Sequence, residues 1–409
     1  MQLIKINRTF ERGAAADIEK TISEQLSAQL RCKPGAQIAI AVGSRGIAHL
    51  ARIVKATVEG VRKQGGVPFV VPAMGSHGGA TADGQLQVLA SYGVVPEFIN
   101  CPIHSSMEVV ELPQGKLAHK LFMDRHACEA DGVILINRIK PHTDFHGVYE
   151  SGLAKMSVIG LGKERQAREI HRHGIYGLKE LIPRAASVMF ASGQIVLGIG
   201  IVENAYDEIS IIEAIAPPEI MKREPELLEQ ARRNMPALPT DQLDVLIIDR
   251  MGKDISGAGI DTNIIGRLRI RGGAEPATPC IKMIIVLDLT IASHGNATGI
   301  GLADVTTRRL FEKIDFPVTY TNTVTSTFLE RGKLPVVAET DQMALAYAIR
   351  ACGPSPAEQL KIIRIKDTLH LDELYVSQAV LAEIKGRAEI RITREPANLF
   401  DETGNLPQF

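Results

Sequence analysis

The chain has 409 residues, enough for two or three domains at roughly 150 residues each. Lysine and arginine number 46 against 47 aspartates and glutamates, a formal net charge of -1, so the basic footprint of a nucleic-acid binder is missing. Aromatics are 4% with no tryptophan, which argues against base-stacking platforms and aromatic sugar clamps.

Five cysteines, Cys32, Cys101, Cys128, Cys280 and Cys352, are scattered with no C-x-x-C pair. That spacing supports neither a zinc knuckle nor a thioredoxin motif and suits a reducing compartment. The first eight residues hold no apolar leader and no window nears 18 uninterrupted apolar residues. A cytoplasmic protein with no membrane partner is therefore expected.

In chain order, 38–42 (IAIAV) is a short apolar run ending at Gly43, the pattern of a buried strand. Residues 48–63 place Leu50, Ile53, Val54, Val58 and Val61 at helical spacing, and Gly65-Gly66 stops the helix. A second strand is expected at 67–72, a helix at 81–92, a strand at 132–137 and a short charged helix at 163–171. A charged helix over 219–234 precedes a proline-rich break at 236–241, where a domain boundary is expected at about 240. Beyond it come strands at 243–248 and 282–287, helices near 302–314 and 341–351, and strands around 360–365 and 388–392. The alternation predicts an α/β protein. Two domains with mostly parallel sheets are expected, 1–240 and 241–393, with a tail from about 394 to 409 packing back on the first, and an active site in the cleft between them.

In open parallel sheets ligands bind beyond the carboxyl ends of strands. That rule selects Gly43-Ser44-Arg45, the loop Gly75-Ser76-His77-Gly78-Gly79, the stretch after Asn137 with His142 and His146, and Ser293-His294. Each histidine reads equally as a loop residue in water. Lys155 stands among small and apolar residues, an unusual place for an amine and one that favours a nucleophile or covalent anchor. Gly160-Leu161-Gly162-Lys163 could cradle an anion on backbone N–H groups, but Glu164 denies it a Walker A ending. His171 and His173 end the charged helix, where a histidine also complements the helix dipole. Arg267, Arg269 and Arg271 alternate, as on one exposed strand face. Residue types alone leave metal chemistry and acid–base chemistry both open.

Several of these motifs, in this order, resemble the nickel-dependent lactate racemase family. Gly43-Ser44-Arg45-Gly46 is similar to that family's arginine loop, and Gly75-Ser76-His77 to its Gly-x-His loop. The stretch from Ala130-Asp131 to Pro141-His142 resembles its next strand, and Ser151 to Lys155 its lysine loop. His171 follows Lys155 by sixteen residues, the most specific match. The resemblance implies nickel and pyridinium-3,5-bisthiocarboxylic acid mononucleotide, a nickel-pincer nucleotide joined covalently to Lys155, with His171 as the protein ligand to the metal. It also implies His77 and His142 as the acid–base pair, and Arg45 and Arg269 as substrate contacts; His294, from its own candidate loop, is expected to join them.

The implied activity is racemisation or epimerisation of a 2-hydroxy acid through a planar 2-keto acid, with hydride leaving and returning. The implied partners are that small molecule and cofactor-synthesis enzymes; a homo-oligomer is compatible with this. The loop between His142 and Lys155 is longer than in lactate racemase and carries Asp144, His146, Tyr149 and Glu150. A substrate larger or more polar than lactate is expected from those additions. The alternatives are a sugar-acid epimerase or dehydratase, a zinc or manganese hydrolase using His77, His142 and His171, and a non-catalytic cofactor carrier.

Overall fold

The apolar run at 38–42 becomes the strand Gln37–Val42, buried at five of its six positions. A computed structural model describes residues 2–12, 17–44 and 46–409, with backbone alone for 394–398; Arg45 lies outside the described residues. The helix Leu50–Lys63 turns Ile53, Val54, Val58 and Val61 inward. Burying such a side chain fully is worth about 1.5–3 kcal/mol.

The described chain divides into two compact units, one of residues 11–235 and one of 1–10 with 236–409. In the first unit, a five-stranded sheet runs in the order Val67–Pro72, Gln37–Val42, Gly132–Arg138, Ile195–Glu203, Ile209–Ile215. The first four are parallel and the last is antiparallel. Val42 pairs with both Pro72 and Ile136. The loops that follow these three strands therefore leave the same edge of the sheet side by side. Apolar clusters fill both faces, with Ala39, Val71 and Leu135 in one and Ile40, Val70 and Ile134 in the other.

The second unit carries an eight-stranded sheet ordered Val336–Ala338, Val305–Thr307, Cys280–Val286, Gln242–Ile248, Ile362–Ile365, Glu373–Val376, Gln2–Arg8, Ile390–Asn398. Its first five strands are parallel and its last three antiparallel. Both units are thus α/β with mostly parallel sheets.

Two expectations change here. The first ten residues, expected in the N-terminal domain, belong to the second unit, because Gln2–Arg8 pairs with Glu373–Val376 and Ile390–Asn398. Leu399 and Leu406 pack with Leu3 and Val245 in that same unit. The helix expected over 302–314 is instead a strand, Val305–Thr307, then the short helix Arg308–Phe311. Val305, Thr306 and Thr307 are β-branched and favour the strand, and Thr307 caps the helix by accepting from Leu310 N–H.

Candidate functional site

The chain leaves the strand Gly132–Arg138 into a loop closed at its base by a bridge: Lys140 N–H donates to Ser151 O at 3.0 Å and Ser151 N–H returns the bond at 3.3 Å. Inside the loop lies the buried carboxylate of Glu150. It accepts from His142 N–H at 2.6 Å, Gly147 N–H at 2.9 Å and the Arg232 guanidinium at 2.5 Å. Burial opposes its charge, but hydrogen bonds from His146, His142 and Gly147, with Arg232 alongside, hold its carboxyl below the usual range. Tyr149 donates to Met221 O on the helix Pro217–Asn234. Glu150 and Tyr149 are thus spent on holding the loop, with His146 Nδ1 3.5 Å from the Glu150 carboxylate. Of the four polar additions, Asp144 alone accompanies the His142 ring.

That ring is 7% exposed. Its Nδ1 accepts from Asp144 N–H at 3.0 Å, and its Nε2 lies 2.5 Å from Lys155 Nζ. Phe145 packs on the imidazole with centroids 4.7 Å apart, and Lys155 Nζ stands 5.9 Å from the Phe145 ring centre. Lys155 ends the turn Leu153–Lys155, which runs into a π-helical turn, Met156–Gly160; such irregular turns recur at functional sites. Glu224 holds the start of that turn. It is fully buried, accepts from Ala154 N–H at 2.9 Å, and has its carboxyl raised to about 7 by burial, which the Ala154 and Leu153 N–H groups only partly offset. A Cβ at Gly152 would come within 2.3 Å of its Oε1, so only glycine lets the lysine segment approach this carboxyl.

His77 follows the strand Val67–Pro72. Its Nδ1 lies 2.8 Å from Met74 O, and a carbonyl only accepts, so Nδ1 carries a proton. In the neutral ring the Nε2 lone pair is then free of hydrogen. Gly78, at φ +66°, leaves no room for a side chain: a Cβ would sit 2.5 Å from the Gly84 carbonyl carbon. Gln85 donates to Gly75 O at 2.9 Å and His77 O at 3.3 Å, and accepts from Lys163 Nζ at 3.0 Å. Lys163 also donates to Pro72 O and lies 3.1 Å from Asp124, both side chains being wholly buried. The anion cradle expected on the backbone at 160–163 is overturned, since Leu161 N–H donates to Met156 O and Gly162 N–H to Val158 O, both at 3.0 Å, and the Lys163 ammonium points inward. Instead Lys163 ties the His77 loop to the helix Lys163–His171.

His171 closes that helix. Its residue surface is exposed, yet protein surrounds the ring enough to lower its basicity. That desolvation acts first; a proton on Lys155 or His77 would lower it further, against Asp144, so the imidazole sits below its usual range. The structure thus gathers His77, His142, Lys155 and His171 in one unit. Asp144 joins them; sequence reasoning named it only as a loop residue. Glu224, Gln85 and the Asp124–Lys163 pair were missed outright, and no local signal marks them.

Arg269 and His294 lie in the other unit. Arg269 donates to Asp304 at 2.9 Å, beside Arg267, which reaches the same carboxylate at 2.7 Å. His294 is an exposed residue at φ 47° that closes the turn Ile291–Ser293. Among the described residues, no group of three or more His, Cys, Asp or Glu side chains could hold a metal ion. Also among them, no helix is long and apolar enough to cross a membrane.

Fold and site together define an α/β protein with a base-rich cluster at one sheet edge. Among solved structures the chain is similar to the lactate racemase apoprotein from Thermoanaerobacterium thermosaccharolyticum, with a TM-score of 0.54 and 14% sequence identity, covering 90% of this chain and 98% of that one. At that identity the likeness shows a lactate racemase-like fold. No family model matches the sequence, and no curated protein matches it.

Proposed function

We propose that this chain is an isomerase, a racemase or epimerase that inverts carbon 2 of a 2-hydroxy acid with a nickel-pincer nucleotide carried on Lys155. The observation that supports it most is the opposite setting of two histidines in one cluster. His77 carries its proton on Nδ1 and offers a lone pair at Nε2; His142 accepts at Nδ1 and carries its proton on Nε2. Inversion needs one group to take the hydroxyl proton and another to return one, and imidazole suits both tasks near neutral pH. The roles exchange with the hand of the substrate.

The donor set fits the implied group. A single imidazole, kept neutral by its surroundings, suits a nickel whose other donors arrive with an organic ligand. Lys155 would hold that ligand through Nζ and His171 would face the metal. When bound, the group supplies a hydride acceptor. The lack of a side-chain metal cluster counts against a zinc or manganese hydrolase built on His77, His142 and His171. The complementary histidines count against a carrier, which has no use for them.

The case for a substrate more polar than lactate now rests on Asp144, since Glu150 and Tyr149 bind the loop itself. A carboxylate accepts from hydroxyls, which favours a polyhydroxy acid. Arg45 joins this reading by motif, Arg269 by resemblance alone and His294 by its loop after a strand, as carboxylate or hydroxyl contacts.

The test is to produce the chain with cofactor-synthesis enzymes, map peptides for added mass on Lys155, measure nickel, and follow inversion of lactate and sugar acids by chiral chromatography. An adduct on Lys155, bound nickel and inversion of at least one acid are expected. No adduct and no nickel would overturn the proposal, and a loaded protein that inverts nothing on the panel would make it a carrier.

A further inference from the structure

Nδ1 of His142 accepts from the Asp144 backbone N–H at 3.0 Å, and a backbone amide can only donate. The single proton of the neutral ring is therefore on Nε2. That atom lies 2.5 Å from Lys155 Nζ, so one nitrogen donates and the other accepts. Because Nε2 holds the hydrogen, Nζ must supply a lone pair, and an ammonium has none. The surroundings agree. Lys155 and His77 each lie within electrostatic reach of His171, with Asp144 as the opposing charge, and each basic group disfavours a proton on its neighbour. The Phe145 ring would also attract a cation at Nζ; the Nδ1 hydrogen bond decides between the two forms.

We propose that His142 and Lys155 form a masking pair: before any cofactor is attached, the Nε2–H of His142 is spent on an uncharged Lys155 amine, and acylation of Nζ releases it. The pair keeps the lysine uncharged and the histidine occupied. In the acylation, the Nε2–H···Nζ hydrogen bond breaks first, and the Nζ lone pair it releases attacks the carbonyl carbon of an activated acyl compound. A C–N bond forms, the bond from that carbon to the leaving group breaks, and the leaving group departs with the electron pair and the proton that Nζ sheds. An amide nitrogen has no basic lone pair, so it cannot accept from Nε2–H. His142 then faces substrate with its proton available. This deepens the proposed function and rests on it only in taking Lys155 as the residue that carries the cofactor.

The experiment uses the full chain produced without cofactor-synthesis enzymes. Limiting acetic anhydride at pH 7, read by peptide mass spectrometry, should acetylate Lys155 at least about tenfold faster than exposed lysines, whose ordinary pKa near 10.4 leaves only ~0.04% as amine. His142→Ala should remove that excess. Histidine-selective ¹⁵N labelling needs no variant: the His142 ring should show the Nε2–H tautomer, and its Nε2 resonance should shift once Lys155 is acetylated. Labelling of Lys155 at the rate of exposed lysines, or a ring protonated on Nδ1, would overturn the pair. Neither readout involves nickel or turnover, so failure here leaves the racemase test standing, and failure there leaves this one standing.

Discussion

The candidate loops of the two units treat their cations differently. In the second unit, cations near the candidate loops are matched to carboxylates: Arg267 and Arg269 on Asp304, Arg364 on Asp249, Lys313 on Asp288. In the first unit, His77 and Lys155 act on His171, Lys155 meets His142, and Asp144 is the carboxylate beside them. Matched charges hold a fold, whereas bases crowded on bases lower one another's proton affinity and leave lone pairs ready to react. The difference supports placing the proposed chemistry in the first unit.

The largest expected effect sharpens that contrast. In cofactor-loaded protein, His77→Ala and His142→Ala should each lower turnover of a responsive 2-hydroxy acid by about 10²–10⁴-fold, the usual loss for one acid–base group. Bound nickel should stay near the wild-type level in His77→Ala; turnover of His142→Ala is read per bound nickel, because loss of the Lys155 partner slows its loading. Normal turnover in both variants would move the chemistry away from this cluster.

Stability draws the same line. Asp124 and Lys163 form a wholly buried pair, and removing one partner of such a pair costs about 3–5 kcal/mol. Asp124→Ala should therefore lower the midpoint of urea unfolding strongly. Lys313→Ala breaks a pair whose lysine side chain is 44% exposed, and surface pairs are worth under about 1 kcal/mol. Equal losses in the two variants would refute the distinction.

Much of the first unit was legible because its signals are local. The runs at 38–42, 67–72 and 132–137 became strands within a residue or so, since apolar runs ended by glycine or a turn need no distant partner to be recognised. The loops carrying His77 and His142 followed from the strand-end rule. What stayed hidden depends on distant pairing. Gln2–Arg8 finds its neighbours more than 360 residues away in sequence. Glu224 lies in a helix rich in charge and reads as solvated, yet packing buries it completely. Glu150 and Asp144 share one loop; Arg232 from a distant helix, with the loop's own His142 and Gly147 N–H groups, decides which faces inward. Proton placement on His77 and His142 likewise depends on two backbone groups, Met74 O and Asp144 N–H.

The two buried carboxyls around Lys155 should respond to pH with opposite signs. Glu224 titrates at about 7 against an ordinary 4.5, so the native state holds its proton more tightly. Its contribution is most favourable below about 4.5 and declines as pH rises to about 7, by roughly 3 kcal/mol. Glu224→Gln should flatten that decline. Glu150 lies below the ordinary value, so its stabilisation is present above about 4.5 and is lost as pH falls through its folded value. Glu150→Gln should hurt most at neutral pH and least in acid. Unfolding followed from about pH 2.5 to 8 separates the two; parallel profiles would contradict both assignments.

The smallest expected effect tests whether anything in the second unit belongs to the site. Arg269 has φ 48°, a conformation that favours glycine, and its guanidinium is partly exposed on Asp304. Arg269→Gly removes the charge while keeping a backbone that glycine adopts without strain. Arg267 still holds Asp304 at 2.7 Å, so thermal stability should change by less than about 1 kcal/mol. With folding preserved, kinetics become decisive. A guanidinium that holds the substrate carboxylate equally in ground and transition states would show as a raised KM with kcat little changed. An unchanged KM across the acid panel would leave Arg269 as a structural partner of Asp304, and the contrast between the two units would then be complete.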